Sequence, residues 1–195
     1  MKRKQNLRVS AECAVLLAMA IVFSFIIIWR MPMGGEITFV SMLPIMLAGF
    51  RNGPKAGLLT AFIYSLFQLA FAFVSGNVFV YCTTAFTFII CVVFDYLVPF
   101  TGLGIACLFK NIKKDSVRFK NAGIYFGVSC GIMLRFICHY ITGVVIWGQW
   151  AGDEGPYIYS LLYNGTYLLP ELLLTLLVCV ILFKPQRTRK LLLNE

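Results

Sequence analysis

Charge is what this sequence has least of. Only 13% of its 195 residues are Asp, Glu, Lys or Arg, against roughly 25% in a soluble domain. With 60% hydrophobic residues, a chain of this length carries more apolar surface than one soluble core can cover, so lipid must cover the remainder. The only histidine is His139, which leaves no ligand set for a metal site. No G-x-x-x-x-G-K-[ST] loop occurs, and the chain therefore does not itself hydrolyse nucleotide. No linker, low-complexity stretch or internal repeat is visible. The missing repeat argues against a secondary transporter built from two similar halves. Cysteine is present, at Cys13, Cys82, Cys91, Cys107, Cys130, Cys138 and Cys179, but without a C-x-x-C pair and always in apolar stretches. That pattern reads as free thiols acting as small buried hydrophobes.

What is there is a series of apolar runs. A span needs about 20 apolar residues, and on that scale the chain reads as one all-α integral-membrane domain, 1–195, with six transmembrane helices. The expected helices are 10–29, 37–50, 56–74, 88–109, 122–147 and 158–183. The second is short, contains Pro44, and is either bent or does not cross fully. Residues 77–87 are expected to form a separate loop or short helix over the membrane core. The start, Met1-Lys-Arg-Lys, mimics a secretory signal, but the run after it is long and followed by more spans, which makes it the first transmembrane helix.

The net charge of +9 does not point to nucleic acid, because the basic residues form no stripe on a polar surface. They lie between the apolar runs: Lys2, Arg3, Lys4 and Arg8 before the first, Arg51 and Lys55 after the second. Lys110, Lys113, Lys114, Arg118 and Lys120 follow the fourth, and Lys184, Arg187, Arg189 and Lys190 follow the sixth. The opposite loops hold Arg30 with Glu36, Asp153 and Glu154. The positive-inside rule is then met at every loop with both termini cytoplasmic.

Polar groups at membrane depth are costly and mark function more often than packing. The fifth run carries Arg135, His139, Gly143 and Trp147 at four-residue steps, a row that winds slowly along one side of a helix. Arg135 lies too far beyond Lys120 to reach the interface comfortably by snorkelling. The sixth run carries Ser160, Asn164, Tyr167 and Glu171 on one face, with Tyr159 and Tyr163 beside it in positions that also suit an interfacial aromatic belt. Pro170 predicts a kink, and Glu171 either satisfies that irregularity, pairs with another helix, or serves a site. Asp95 is the remaining deep acid. Its partner is Arg135, His139 or a cationic ligand. One carboxylate, an imidazole, an amide, phenols and an indole together suit a flat cationic ring with heteroatoms. A competing reading is an intramembrane enzyme using Asp95 and His139 as an acid–base pair, but no nucleophile motif or paired carboxylates accompany them.

The segment Arg135-Phe-Ile-Cys-His139-Tyr-Ile-Thr-Gly143-Val-Val-Ile-Trp147, followed by Tyr159-Ser-Leu-Leu-Tyr163-Asn164-Gly, resembles the signature of the bacterial thiamine-specific substrate-binding subunits of energy-coupling factor transporters. Gly34-Gly-Glu-Ile-Thr38, Ser41-Met-Leu-Pro44 and Asp95-Tyr96 share that resemblance, which runs over nearly the whole chain. It implies a multi-pass protein of the bacterial cell membrane that binds thiamine near the extracellular side and needs no cofactor of its own. It also implies partners, a transmembrane coupling subunit and two ATP-binding-cassette ATPases, and a toppling motion that releases the vitamin inside.

By position, Asp95 matches the family's site carboxylate, serving the aminopyrimidine and the thiazolium charge. Trp147 matches the stacking aromatic, and His139, Tyr159 and Asn164 match contacts to the pyrimidine. Tyr96, Gly143 and Arg135 fall where the hydroxyethyl arm or a phosphate would lie. Ala14 and Ala18 match the small-residue row that meets the coupling subunit. A subunit for another vitamin or pyrimidine is the alternative within the same transporter class. Some members carry tryptophans where this chain has Tyr64, Gly35 and Gly152, with Trp150 close to the last. Phe39, Tyr64 or Tyr81 are the candidates to replace the missing ring faces.

Overall fold

The longest apolar runs become the longest helices. The computed structural model describes residues 2–32, 34–75, 79–112 and 121–194. Helix α1 is Lys2–Ser24, and a hairpin of β1 (Ile27–Arg30) and β2 (Glu36–Thr38) follows it. Next come α2 (Leu43–Asn52) and α3 (Pro54–Ser75). A continuous helical run, α4 (Ala85–Phe109), is then followed by α5 (Ala122–Val145), α6 (Gly155–Phe183) and the short α7 (Gln186–Leu193). Five of these, α1, α3, α4, α5 and α6, are long and apolar enough to cross a bilayer. The chain is a helical, multi-pass membrane protein.

The first two expected helices are differently built. The one expected over 10–29 begins at Lys2 and stops at Ser24. Its β-branched and aromatic end, Ile27-Ile-Trp-Arg30, pairs as an antiparallel strand, with Arg30 opposite Glu36. An Arg30–Glu36 ion pair of 2.7 Å and the left-handed Gly34, φ 95°, close that hairpin, the latter being a conformation glycine adopts at little cost. The fold is therefore helical with one added hairpin. The helix expected over 37–50 covers only Leu43–Asn52, ten residues. At 1.5 Å per residue it is about 15 Å long, roughly half the hydrocarbon thickness. Pro44 does not bend it but sits in its first turn, where the missing N–H costs nothing.

Residues Leu43 to Phe50 of α2 are all buried. They form the centre of the core, with Ala61 and Tyr64 of α3, Phe100 and Leu103 of α4, and Ile124, Val128 and Ile132 of α5. Glycines set the spacing there. A Cβ on Gly57 would stand 2.7 Å from Gly49 Cα and 3.0 Å from Gly104 O, so α2, α3 and α4 meet backbone to backbone. Close approach of this kind is how membrane helices gain packing without a hydrophobic driving force.

One end of the bundle is closed by side chains that bond backbone carbonyls. Arg51 Nε donates to Glu12 Oε2 at 2.7 Å, and Arg51 Nη1 to the Leu191 carbonyl. Lys110 Nζ donates to Phe50 O at 2.9 Å, and Asn121 Nδ2 to Phe183 O at 2.8 Å. Arg189, 2% exposed, donates to Asn121 Oδ1 at 2.8 Å, tying α7 under the bundle. The basic residues Lys113, Lys114, Arg118 and Lys120 lie outside the described residues. Of the segment expected as a loop or short helix over 77–87, Asn77 and Val78 also lie outside them. The rest is a 3-10 turn at Phe79–Tyr81 and the capped start of α4, where Thr84 and Thr87 form a capping box.

Candidate functional site

At the other end the helices part around a cavity of about 670 Å³, within the roughly 300–1,000 Å³ usual for small-molecule sites. Asp95, Tyr96, Arg135, His139, Gly143, Trp147, Tyr159 and Asn164 all line it. Asp95 and Tyr96 sit in a six-residue π-helical turn, Val92–Leu97, inside α4. Such turns are rare and occur often at functional sites.

Three groups hold Asp95 in a chain. Thr142 Oγ1 donates to Asp95 Oδ1, and His139 Nδ1 lies 3.0 Å from the same oxygen. Arg135 Nε donates to His139 Nε2 at 3.1 Å. A guanidinium has no acceptor, so Nε2 carries the lone pair and Nδ1 carries the proton that Asp95 accepts. His139 is thus a neutral ring between an anion and a cation, with both nitrogens engaged. Arg135 is itself fixed, its Nη1 3.1 Å from Met42 Sδ and its Cζ 4.7 Å from the centre of the Phe100 ring. It does not snorkel. The sequence left Asp95 a choice of partners, and the fold places His139 next to it and Arg135 one ring further away.

Asn164 is similarly committed. Its Nδ2 donates to His139 O at 3.1 Å and Ser160 O at 2.9 Å, and its Oδ1 accepts from Tyr167 OH at 2.9 Å. By inventory it retains one lone pair on Oδ1. Gly143 lets α6 approach: a Cβ there would collide with Ser160 Oγ, whose hydroxyl donates to Tyr140 O at 2.8 Å. Gly143 is therefore needed for packing as well as for the cavity wall.

Aromatic rings form the rest of the wall. Trp147 follows α5 in the 3-10 turn Trp147–Trp150. Its ring centre is 4.9 Å from Tyr81, which in turn lies 5.1 Å from Trp150. Tyr159 stacks on Tyr163 at 5.8 Å. The hairpin leans on the same helix, with Gly35 N donating to Tyr163 OH at 3.2 Å. Of the three rings considered as replacements, only Tyr81 faces the cavity. Tyr64 is wholly buried behind Gln68, whose Nε2 donates to its hydroxyl at 2.6 Å. Phe39 is 42% exposed and packs edge-on against Phe23.

Several wall residues were not nominated from sequence. Gln68 had a signal, since an amide within an apolar helix is expensive in lipid. Thr142 had none, because a helical threonine can bond its own helix; here His139 O lies 3.0 Å from the hydroxyl, whose single proton goes to Asp95. Glu171 is absent from the wall and bonds Thr38 of β2. Ala14 and Ala18 are exposed on α1, away from the cavity. Among the described residues no group of three or more His, Cys, Asp or Glu side chains could hold a metal ion.

Residues 10–191 match the family described as "Thiamine transporter protein". The chain belongs to that family. The thiamine transporter ThiT of Bacillus subtilis (strain 168) is 33% identical over 181 residues, covering 88% of each chain. Thiamine transporter ThiT of Lacticaseibacillus paracasei is 24% identical over 188 residues, covering 93% of this chain and 90% of its own. A solved structure of ThiT from Listeria monocytogenes superposes with a TM-score of 0.71 at 21% identity, over 94% of this chain and 97% of that one, which is a likeness of fold. Membership in the thiamine transporter protein family makes the chain a transport protein rather than an enzyme. The eight cavity residues expected from the sequence all fall inside the matched range.

Proposed function

We propose that the cavity binds thiamine, and that the chain is the substrate-binding subunit of an ATP-driven energy-coupling factor transporter. The observation that carries the ligand is Asp95: a buried carboxylate, 8% exposed, on the wall of an aromatic-lined cavity in a thiamine transporter family chain. Thiamine is a flat thiazolium cation joined to an aminopyrimidine. The carboxylate supplies charge and an acceptor, while Trp147 and Tyr81 supply ring faces for stacking and cation–π attraction. Asn164 offers its remaining lone pair to the pyrimidine amine, and the Tyr159 ring flanks it. His139, with both nitrogens engaged, presents its ring and holds Asp95. Tyr96, Gly143 and Arg135 surround the hydroxyethyl arm.

In this reading the single domain, 1–195, crosses the membrane six times, the second crossing being α2 with β2 and the turn between them. Both termini are cytoplasmic. The bonds from Arg51 to Glu12 and Leu191 support this, since they put the end of α2 at the same basic end as α1 and α7. The cavity then opens outward. The exposed Ala14 and Ala18 on α1 are the surface for the transmembrane coupling subunit, and two ATP-binding-cassette ATPases drive the cycle.

Mass spectrometry of the small molecule that co-purifies with the protein tests the ligand. Unmodified thiamine is expected. Riboflavin, biotin or another pyrimidine in its place would assign a different substrate, and a chemically altered product would contradict a purely binding role.

A further inference from the structure

Glu171 stands outside the cavity wall, yet it is 1% exposed. Its carboxylate accepts from Thr38 N on Oε2 at 2.7 Å and from Thr38 Oγ1 on Oε1 at 2.8 Å. Thr38 Oγ1 is also 2.7 Å from Ser41 Oγ. Both Thr38 donors therefore end on one side chain from a helix 133 positions away in sequence.

Between Thr38 and α2 the backbone does something unusual. Val40 has φ 46°, the left-handed region, where a β-branched residue is a steric outlier. Such a conformation persists only where its surroundings over-determine it, and it clusters at ligand sites. Here the surroundings are identifiable. Val40 is 3% exposed and packed in the core. Its N–H donates to Thr38 O at 2.9 Å, and its carbonyl accepts from Leu43 N at 3.0 Å. The core holds one side of the turn and Glu171 holds the other.

The turn delivers three groups to the site. Thr38 and Ser41 line the cavity, and Met42 Sδ takes the Arg135 Nη1 bond at 3.1 Å. Arg135 in turn supports His139 and Asp95. The path from Glu171 to the site carboxylate is unbroken.

We propose that Glu171 is a positioning residue of the binding site. It holds the strained Thr38–Met42 turn so that Thr38 and Ser41 face the ligand and Met42 meets Arg135. This deepens the reading of the cavity as a thiamine site and rests on it. The competing role for a buried carboxylate beside Pro170 is packing of α6 alone. That role predicts lost stability without a specific effect on the turn.

Two variants separate these. Glu171→Gln keeps the volume but turns an amide donor toward one of the two Thr38 donors. Thr38→Val keeps the shape and removes the hydroxyl. Thiamine affinity and dissociation rate are measured for each variant and for the double variant. Backbone amide exchange is followed in the ligand-free proteins.

Glu171→Gln is expected to weaken binding about tenfold, mainly by faster dissociation, as for a lost bond to a charged group. Exchange should rise over residues 37–42 and little elsewhere. In the double variant exchange over 37–42 should be about as fast as in Glu171→Gln alone, because both changes break the same contact. Unchanged affinity, multiplying effects on that exchange in the double variant, or exchange raised evenly across the helices would overturn the proposal. Should Glu171→Gln not fold, Thr38→Val decides: unaltered exchange over 37–42 counts against it. If the unmodified protein binds no thiamine, the substrate reading fails, and the exchange data alone still decide whether Glu171 holds the turn.

Discussion

The two ends of this bundle use polar residues in opposite ways. At the basic end, Arg51, Lys110, Asn121 and Arg189 bond carbonyls and one another, and glycines bring α2, α3 and α4 into backbone contact. An open apolar groove lies beside Arg51, lined by Ala11, Val15, Leu16, Leu47 and Leu192. At the other end, Asp95, His139, Arg135 and Asn164 bond across α4, α5 and α6 around a cavity of about 670 Å³. Both ends satisfy buried polar groups, as they must, but at the second they stand around a cavity walled by polar side chains and aromatic rings. The difference separates stability from recognition. Changes at the cavity end should alter binding more than folding, and changes at the basic end should do the reverse.

The sharpest break of that contrast is Gly143→Val. It forces α6 away at Ser160 and intrudes on the cavity, and overpacking of this kind should weaken thiamine binding about a hundredfold, read by fluorescence titration. Trp147→Ala comes next. Loss of a central stacking indole should weaken binding about thirtyfold and abolish most of the ligand-induced quenching of tryptophan emission. Thr142→Val, which removes one of the donors to Asp95, should weaken binding about tenfold, with the unliganded protein folding normally by circular dichroism. Arg51→Leu tests the other end. It removes the part-buried ion pair with Glu12 and the bond to the Leu191 carbonyl, leaving Glu12 paired with Arg8, so the melting temperature should drop by about 2–4 °C while thiamine affinity stays as in the unmodified protein. An Arg51→Leu protein with impaired binding and unchanged stability would erase the distinction between the two ends.

How much of this was legible from the residues follows the same division. Arg135, His139 and Asn164 stand out because an ionisable or amide group in an apolar helix has few reasons to be there, and all three line the cavity. Their spacing could not say that His139 would lie between Asp95 and Arg135, since that depends on how α4 crosses α5. Thr142 stayed hidden because its hydroxyl can be satisfied within its own helix. The hairpin was missed for a related reason: Ile27 to Arg30 continues an apolar run, and only pairing with Glu36–Thr38 makes it a strand. Apolar content shows that a segment is buried or in lipid, not which backbone it adopts. Glu171 was open between two roles, and its bonds to Thr38 could come only from a contact distant in sequence.

The proposed thiamine site stands or falls with Asp95 as its anionic anchor. Calorimetric titration of the purified protein with thiamine, beside the Asp95→Asn variant, tests it most directly. Tight one-to-one binding by the unmodified protein is expected, with a loss of about a hundredfold or more in the variant, the cost of leaving the ligand's cation without its buried counter-ion. Equal thiamine affinity in the two proteins would contradict it.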